Sequence, residues 1–502
     1  MTSKLRTLGK ETAIYGTSTV LVRMLNFIML PFYTYLLSPE RYGIVATVYS
    51  YIAFITILFQ YGMDQAYMRY TSADREKETL FFACTFWPLL CSSALFVFLI
   101  WLARMPLAGM AAIGAGSIIS YAQAGRIITY SGIVMALDAI TCVPFAKLRL
   151  EHRAFSFASI KIANILINIA ANVLFLYKMR MGPEGVLLAS VAASTVSLAL
   201  LLPLFYRSIK PIFVWPQFEE MWHFAWPFIP AGLAAMVVQV IDRPLMAKLA
   251  GLHAAGIYQA GYRLGIFMML IVSMFDQAWR PFVMENAKAE GSKELFARVF
   301  TYFTLFGTGA VLALSLFIEV IVKINFFGRH LIAPAYWEGL CVVPIVLAAY
   351  LFNGFYINFM AGPILTKKTK IIVGATAAGA ISNIIANLIL IPTTGMMGAA
   401  WATFLSYVLM ALVMYFGTRK DYPIPYEFVR VGQLLMVALG LWIIHYPTDA
   451  LCMDAPGTGL LCRLGLLAAF PLLLLLNGFF PEEELSEMKN LFLRRILRRK
   501  IS

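Results

Sequence analysis

The feature that most limits what this chain can fold into is an internal duplication, carried in sequence that is otherwise almost wholly apolar. Pro31 is followed after twelve residues by Gly43 and then by Asp64-Gln65-Ala66-Tyr67; Pro244 is followed in the same way by Gly256 and by Asp276-Gln277-Ala278-Trp279. A second pair, Asn168-Ile169-Ala170-Ala171-Asn172 and Asn383-Ile384-Ile385-Ala386-Asn387, keeps the offset at about 213 to 215 residues. The chain is two related halves. A duplicated polytopic membrane protein is the usual build of a transporter that rocks one half against the other around a central site.

Composition fixes the solvent. With 61% hydrophobic and 13% charged residues and a mean hydropathy of +0.78, the chain lies outside the soluble range, where about a quarter of residues are charged. Its 502 residues hold no polar stretch long enough to form a soluble domain. Apolar runs of about 20 residues read as spans, and they fall near 12–36, 43–62, 80–103, 126–146, 156–177, 184–206, 221–248, 254–279, 298–322, 337–361, 370–391, 397–417, 428–446 and 459–480. The segment 104–125, broken by Pro106 and four glycines, reads as an outer-face loop or partial helix. The predicted fold is an all-α polytopic membrane protein of about 14 helices. Its N-terminal lobe covers 1–210 and its C-terminal lobe 211–420, with two further helices in 421–482 and a basic amphipathic cytoplasmic tail over 483–502.

Most of the 40 Lys and Arg residues fall on the side of the N-terminus under this topology. Short loops rich in positive charge stay cytoplasmic, so both termini are expected there. The net charge of +14 follows from that asymmetry and does not call for nucleic acid. The tail, with Leu491, Phe492 and Ile496 among Arg494, Arg495, Arg498 and Arg499, reads as a helix lying on anionic lipid. Cys452 and Cys462 share an outer loop, where a disulfide would form if that face is oxidising.

Six spans per half bring the second copy into the membrane from the same side as the first, so the halves are related by an axis along the membrane normal. The Asn-x-x-Ala-Asn pairs lie among small residues and read as helix packing rather than substrate contact. The Asp-Gln-Ala motifs sit at the cytoplasmic ends of their spans with Arg69 and Arg280 behind Asp64 and Asp276. They read either as helix-end caps or as a cytoplasmic gate, with Asp242 and Arg243 as the outer counterpart.

Ionisable residues at depth are costly and normally face a wet cavity or a partner. Arg23, Arg263 and Asp138 are the deepest, and Lys161 and Arg126 are shallower. Arg23 and Arg263 are predicted to line a central cavity, or else to form a buried pair with Asp138 or a neighbour. Deep arginines select an anion, because the guanidinium stays charged and its fork of donors matches phosphate oxygens. Arg23 and Arg263 are therefore the candidate substrate contacts, joined by Lys161 and Arg126 unless those shallower chains simply snorkel to the interface, and Asp138 is the candidate proton or sodium site. No phosphate-binding loop, zinc motif or catalytic pair is present, so neither enzyme activity, metal nor cofactor is expected.

Leu30-Pro31, the turn Leu36-Leu37-Ser38-Pro39-Glu40-Arg41-Tyr42-Gly43, then Gln60-Tyr61-Gly62-Met63-Asp64 and Met68-Arg69-Tyr70 resemble the polysaccharide-biosynthesis flippases called Wzx. These share a superfamily with the multidrug and toxin extrusion (MATE) antiporters and the lipid II flippases. The resemblance implies a V-shaped, two-lobed protein of the bacterial inner membrane. It would move an undecaprenyl-diphosphate-linked oligosaccharide from the cytoplasmic to the periplasmic leaflet by alternating access, for O-antigen, capsule or exopolysaccharide assembly, with membrane lipids and a polysaccharide polymerase machinery as partners. Arg23 matches the family's basic position on the first helix. A lipid II-type flippase or a drug or cation antiporter is the alternative, and a membrane glycosyltransferase or polymerase the remote one.

Overall fold

The computed structural model describes residues 21, 24–25, 27–110, 118–326, 328–451, 456–482 and 486. Arg23, Cys452 and all of the basic tail except Ser486 lie outside these residues. Thirteen described segments are long and apolar enough to cross a bilayer, and a shorter apolar helix, α1 (Phe27–Leu36), precedes them. Each sequence-derived span overlaps one of these fourteen segments.

In the first half, α2 (Pro39–Gln60) runs into α3 (Met63–Ala73), followed by α4 (Glu78–Leu102), α5 (Arg104–Met110), α6 (Tyr121–Leu150), α7 (Ala154–Asn172) and α8 (Pro183–Phe205). The Ser-Pro-Glu turn is the start signal of α2. Ser38 Oγ accepts from the Arg41 N–H at 3.4 Å, Pro39 takes the first helical position and Glu40 stands in the first turn, an arrangement that satisfies orphan donors and suits the helix dipole. The stretch 104–125, expected as loop or partial helix, carries α5 and the start of α6, which Ser120 and Gln123 open with a reciprocal capping box.

The second half begins with α9 (Trp215–Ala225), α10 (Phe228–Val240) and α11 (Asp242–Leu249), which together take the place of one span. The eighth span likewise divides into α12 (Gly251–Leu264) and α13 (Ile266–Asn286). The sequence reading made each of these continuous. Pro227 and Pro244 supply no N–H and their rings crowd the carbonyl four residues back. At Gly265 the chain passes so close to its neighbour that an added Cβ would lie 2.5 Å from Val346 Cγ1. Then come α14 (Ser292–Lys323), a two-residue β ladder (Asn325–Phe326 with Arg329–His330), and a 3-10 segment (Pro334–Val342) leading into α15 (Val343–Phe359). After these follow α16 (Ala361–Thr366), α17 (Lys370–Thr394) and α18 (Met396–Thr418). The last two helices, α19 (Phe428–Leu451) and α20 (Pro456–Leu476), pack on α14 through a small core of Leu312, Leu316, Leu434, Leu441, Phe470 and Leu474.

The duplication holds at the level of single bonds. Asn172 Nδ2 donates to the Asn168 carbonyl at 2.8 Å and to Asn168 Oδ1 at 3.0 Å, and Asn387 makes the same two bonds to Asn383 at the same distances. Gly182 (φ 64°, ψ −143°) and Gly395 (φ 60°, ψ −132°) open α8 and α18 in one unusual conformation, which glycine adopts without a Cβ penalty. The offset is 215 residues at the asparagines and 213 at these glycines. The two additional residues of the first half fall before the glycine: a π-helical turn, Val173–Lys178, continues α7 and Met179–Met181 then separate it from Gly182, whereas α17 runs directly into Gly395.

The halves meet along α2 and α12 with main chain against main chain. A Cβ on Gly43 would fall 1.9 Å from the Leu252 carbonyl oxygen, and one on Gly256 1.9 Å from that of Pro39. Around this contact Tyr336 Oη donates to the Leu37 carbonyl (2.9 Å), Tyr35 Oη to that of His330 (2.8 Å), and His253 Nδ1 lies 2.6 Å from Glu40 Oε1.

Candidate functional site

Three helices of the first half each carry a polar stripe at helical spacing. Asp138, Thr141 and Cys142 recur on α6, Lys161, Asn164 and Asn168 on α7, and Ser190, Ser194 and Ser197 on α8. Residues three, four and seven apart share a helix face. The three stripes converge, with Tyr49, Thr56 and Gln60 of α2, on a cavity of about 660 Å³. Its wall is tied together by hydrogen bonds. Ser194 Oγ donates to Asp138 Oδ1 at 2.8 Å, Asn164 Nδ2 to Ser197 Oγ at 2.8 Å, Asn168 Nδ2 to Ser190 Oγ at 3.3 Å, and Ser190 Oγ lies 2.5 Å from Tyr49 Oη.

Four charges line this cavity: Asp64, Asp138, Arg149 and Lys161. Asp64 and Arg149 face each other at 3.6 Å. Lys161 has no carboxylate within ion-pair distance among the described residues, and its Nζ lies 4.1 Å from the centroid of the Phe145 ring. An ammonium held only by a ring face retains capacity for an anionic ligand.

A second cavity, about 550 Å³, occupies the equivalent place in the other half, between α10, α13, α15, α17 and α18. Asp276 and Arg280 stand in its wall and neutralise each other through two bonds of 2.8 and 3.2 Å. Its remaining wall is uncharged and includes Tyr350, Tyr356 and Tyr407. Helix α10 separates the two spaces, with Met236 facing the first and Gln239 the second.

The other predicted site residues have specific partners. Arg126 is clamped on both carboxylate oxygens of Glu184, at 2.6 and 2.9 Å, away from both cavities. Arg263 lies at the seam between the halves, donating to Tyr42 Oη at 3.2 Å with its guanidinium over the Tyr33 ring at 5.7 Å. Asp242 and Arg243 are buried together. Asp242 accepts from Tyr258 Oη at 2.5 Å, and Arg243 bonds Gln259 Oε1 at 2.9 Å beneath the Tyr262 ring. Asp64 is bound to Arg149 rather than to Arg69, whose guanidinium covers Phe224 at 5.5 Å. Sequence reasoning did not single out Arg149, Glu184 or the tyrosines as site residues. For the first cavity the usable signal was the repeated three-and-four spacing of hydroxyl and amide residues on α7 and α8.

Two six-helix halves enclosing equivalent cavities, with two helices appended, define a MATE-like transporter fold of a multi-pass membrane protein. The chain belongs to the polysaccharide biosynthesis protein family, whose model matches residues 8–287. A sequence comparison with curated proteins finds no match. Among solved structures it resembles the lipid II flippase MurJ in an inward closed conformation (TM-score 0.68, 15% identity, covering 91% of this chain and 98% of that one). It also resembles an inward-facing multidrug resistance MATE family transporter (0.63, 13%, 82% and 96%) and a variant of the Vibrio cholerae MATE transporter VcmN (0.58, 13%, 84% and 98%).

Proposed function

We propose that this protein is a flippase for an undecaprenyl-diphosphate-linked oligosaccharide, carrying it from the cytoplasmic to the periplasmic leaflet of the bacterial inner membrane for O-antigen, capsule or exopolysaccharide assembly. The observation that carries this reading is the Lys161 ammonium, in no ion pair among the described residues, in a head-group-sized cavity that also holds Asp138, in a chain of the polysaccharide biosynthesis family. A volume of about 660 Å³ lies within the usual range of small-molecule sites. The diphosphate sits against Lys161, with Arg23 as its predicted second cation, while the prenyl tail stays in lipid. Membrane lipids and the polymerase machinery that takes up the flipped unit are the partners. Asp138 is the coupling group, binding a proton or sodium ion as the halves rock, because a carboxylate beside Lys161 changes the charge of the cavity when it is neutralised.

The test is leaflet protection of a fluorescent undecaprenyl-diphosphate glycan in vesicles carrying the full chain, under an imposed proton or sodium gradient. Wild type translocates the glycan, and Lys161→Gln slows it about tenfold or more, the scale of one lost charge-assisted hydrogen bond. Asp138→Asn leaves the protein folded but removes the dependence on the gradient. The one observation favouring a cation or drug antiporter is Asp138 itself, an acid inside a lobe cavity. Gradient-driven export of an organic cation, with no glycan movement, would establish that reading instead.

A further inference from the structure

The two cavities occupy equivalent places in the repeat but have diverged in chemistry. On α8 and α18, whose opening glycines coincide at an offset of 213, Ser194 and Ser197 of the first cavity correspond to Tyr407 and Met410 of the second. On α7 and α17, at the 215 offset of the asparagine pairs, Lys161 corresponds to Thr376. The ammonium and the hydroxyl that holds Asp138 are thus replaced by a hydroxyl and a phenol ring. What remains in the second wall, apart from the self-neutralised Asp276–Arg280 pair, is a set of neutral hydrogen-bonding groups and tyrosine rings set among aliphatic and methionine side chains such as Val238, Met269, Ile372 and Met410.

Those groups are unspent. The side-chain amides of Gln239 and Asn353 face the cavity and make no hydrogen bond to another described residue. Tyr407 Oη likewise has no partner among the described residues, whereas Tyr356 Oη and Thr376 Oγ1 lie 3.2 Å apart. Amides and hydroxyls set among tyrosine rings offer donors and acceptors without net charge. That suits a neutral ligand dense in hydroxyl or acetamido groups better than a phosphate, since the one cation in this wall, Arg280, is already paired with Asp276.

We propose that the second cavity is a saccharide subsite: it receives sugar residues of the lipid-linked glycan, while the first cavity takes the diphosphate. This rests on the flippase reading above and adds to it a division of the substrate between the halves, with Gln239 and Asn353 as the specificity-determining amides.

The experiment compares two probes in vesicles carrying the full chain: the lipid-linked glycan extracted from cells that lack this protein, and undecaprenyl diphosphate bearing no sugar. The variants are Asn353→Ala, Gln239→Ala and Tyr407→Ser, the last placing in the second half the residue that the first half has. For the glycan probe, each amide variant lowers translocation by about three- to tenfold, the scale of one lost hydrogen bond. For the bare diphosphate the rate is unchanged, which also shows that the variant is folded. Equal loss on both probes, or no loss on either, overturns the subsite and leaves the flippase reading intact. If Tyr407→Ser fails to fold, the two amide variants decide the matter alone, since they remove little packing. If wild type moves neither probe, the flippase reading fails and the subsite fails with it.

Discussion

Single charges in this protein are explained by what they touch. Arg126 is half exposed, but its partner Glu184 is buried, so the pair is asymmetric: removing the arginine strands a carboxylate away from water. Arg126→Ala is expected to destabilise the protein by about 1–3 kcal/mol after allowance for the exposed partner, read as a fall in Tm in detergent, and Glu184→Gln in the same background to recover part of it. Failure of the second change to recover stability would show that Arg126 acts through its packing. Depth along a predicted span marked Arg263 and Asp138 as residues facing a cavity or a partner and ranked Arg126 as shallower. It could not name the partner, because Glu184 lies 58 residues from Arg126 and Tyr42 lies 221 residues from Arg263. Only helix packing, which a single sequence does not encode locally, brings such groups together.

At the level of elements the sequence was most legible where its signals repeat. Apolar length gave the spans, and duplicated motifs gave the halves. The breaks within the seventh and eighth spans were harder to read, because the polar residues beside Pro244 and Gly265, Asp242-Arg243 and Arg263, read as charges inside continuous spans rather than as marks of a break. The seam was also hidden, since glycines of an apolar helix look alike until one is seen against a facing backbone. Gly43 and Gly256 are the pair that matters. Gly256→Val is expected to hold α12 away from α2, since even a Cβ would meet the Pro39 carbonyl oxygen at 1.9 Å. A cysteine pair at Leu37 and Tyr336, whose backbones stand about a tyrosine side chain apart across the seam, should be joined by a short bifunctional maleimide in the parent and several-fold less in the glycine variant. Undiminished cross-linking would show that the helices absorb the side chain without parting.

For the whole molecule, the fourteen-span order expected from the sequence would assign every loop to a face. Single cysteines placed at Lys368 or His152 are expected to react with an impermeant maleimide only from the cytoplasmic side, and one at Gly182 or Gly395 only from the other. Labelling of both sets from one side would remove the topology and, with it, the proposed direction of transport. The seam at Gly43 and Gly256 also bears on how fast any such rocking can be. Interlocked side chains resist sliding because each must leave its rotamer well before the surfaces can pass. At these two glycines, backbone meets backbone with no rotamers to leave, so this point of contact is expected to act as a pivot: stiff under compression and easier to turn than an interlocked patch. The activation barrier to parting the halves would then be set by the side-chain contacts around it, the hydrogen bonds of Tyr35, Tyr336 and His253 and the Arg263–Tyr42 bond, so that turnover speed would be tuned by side chains outside both cavities.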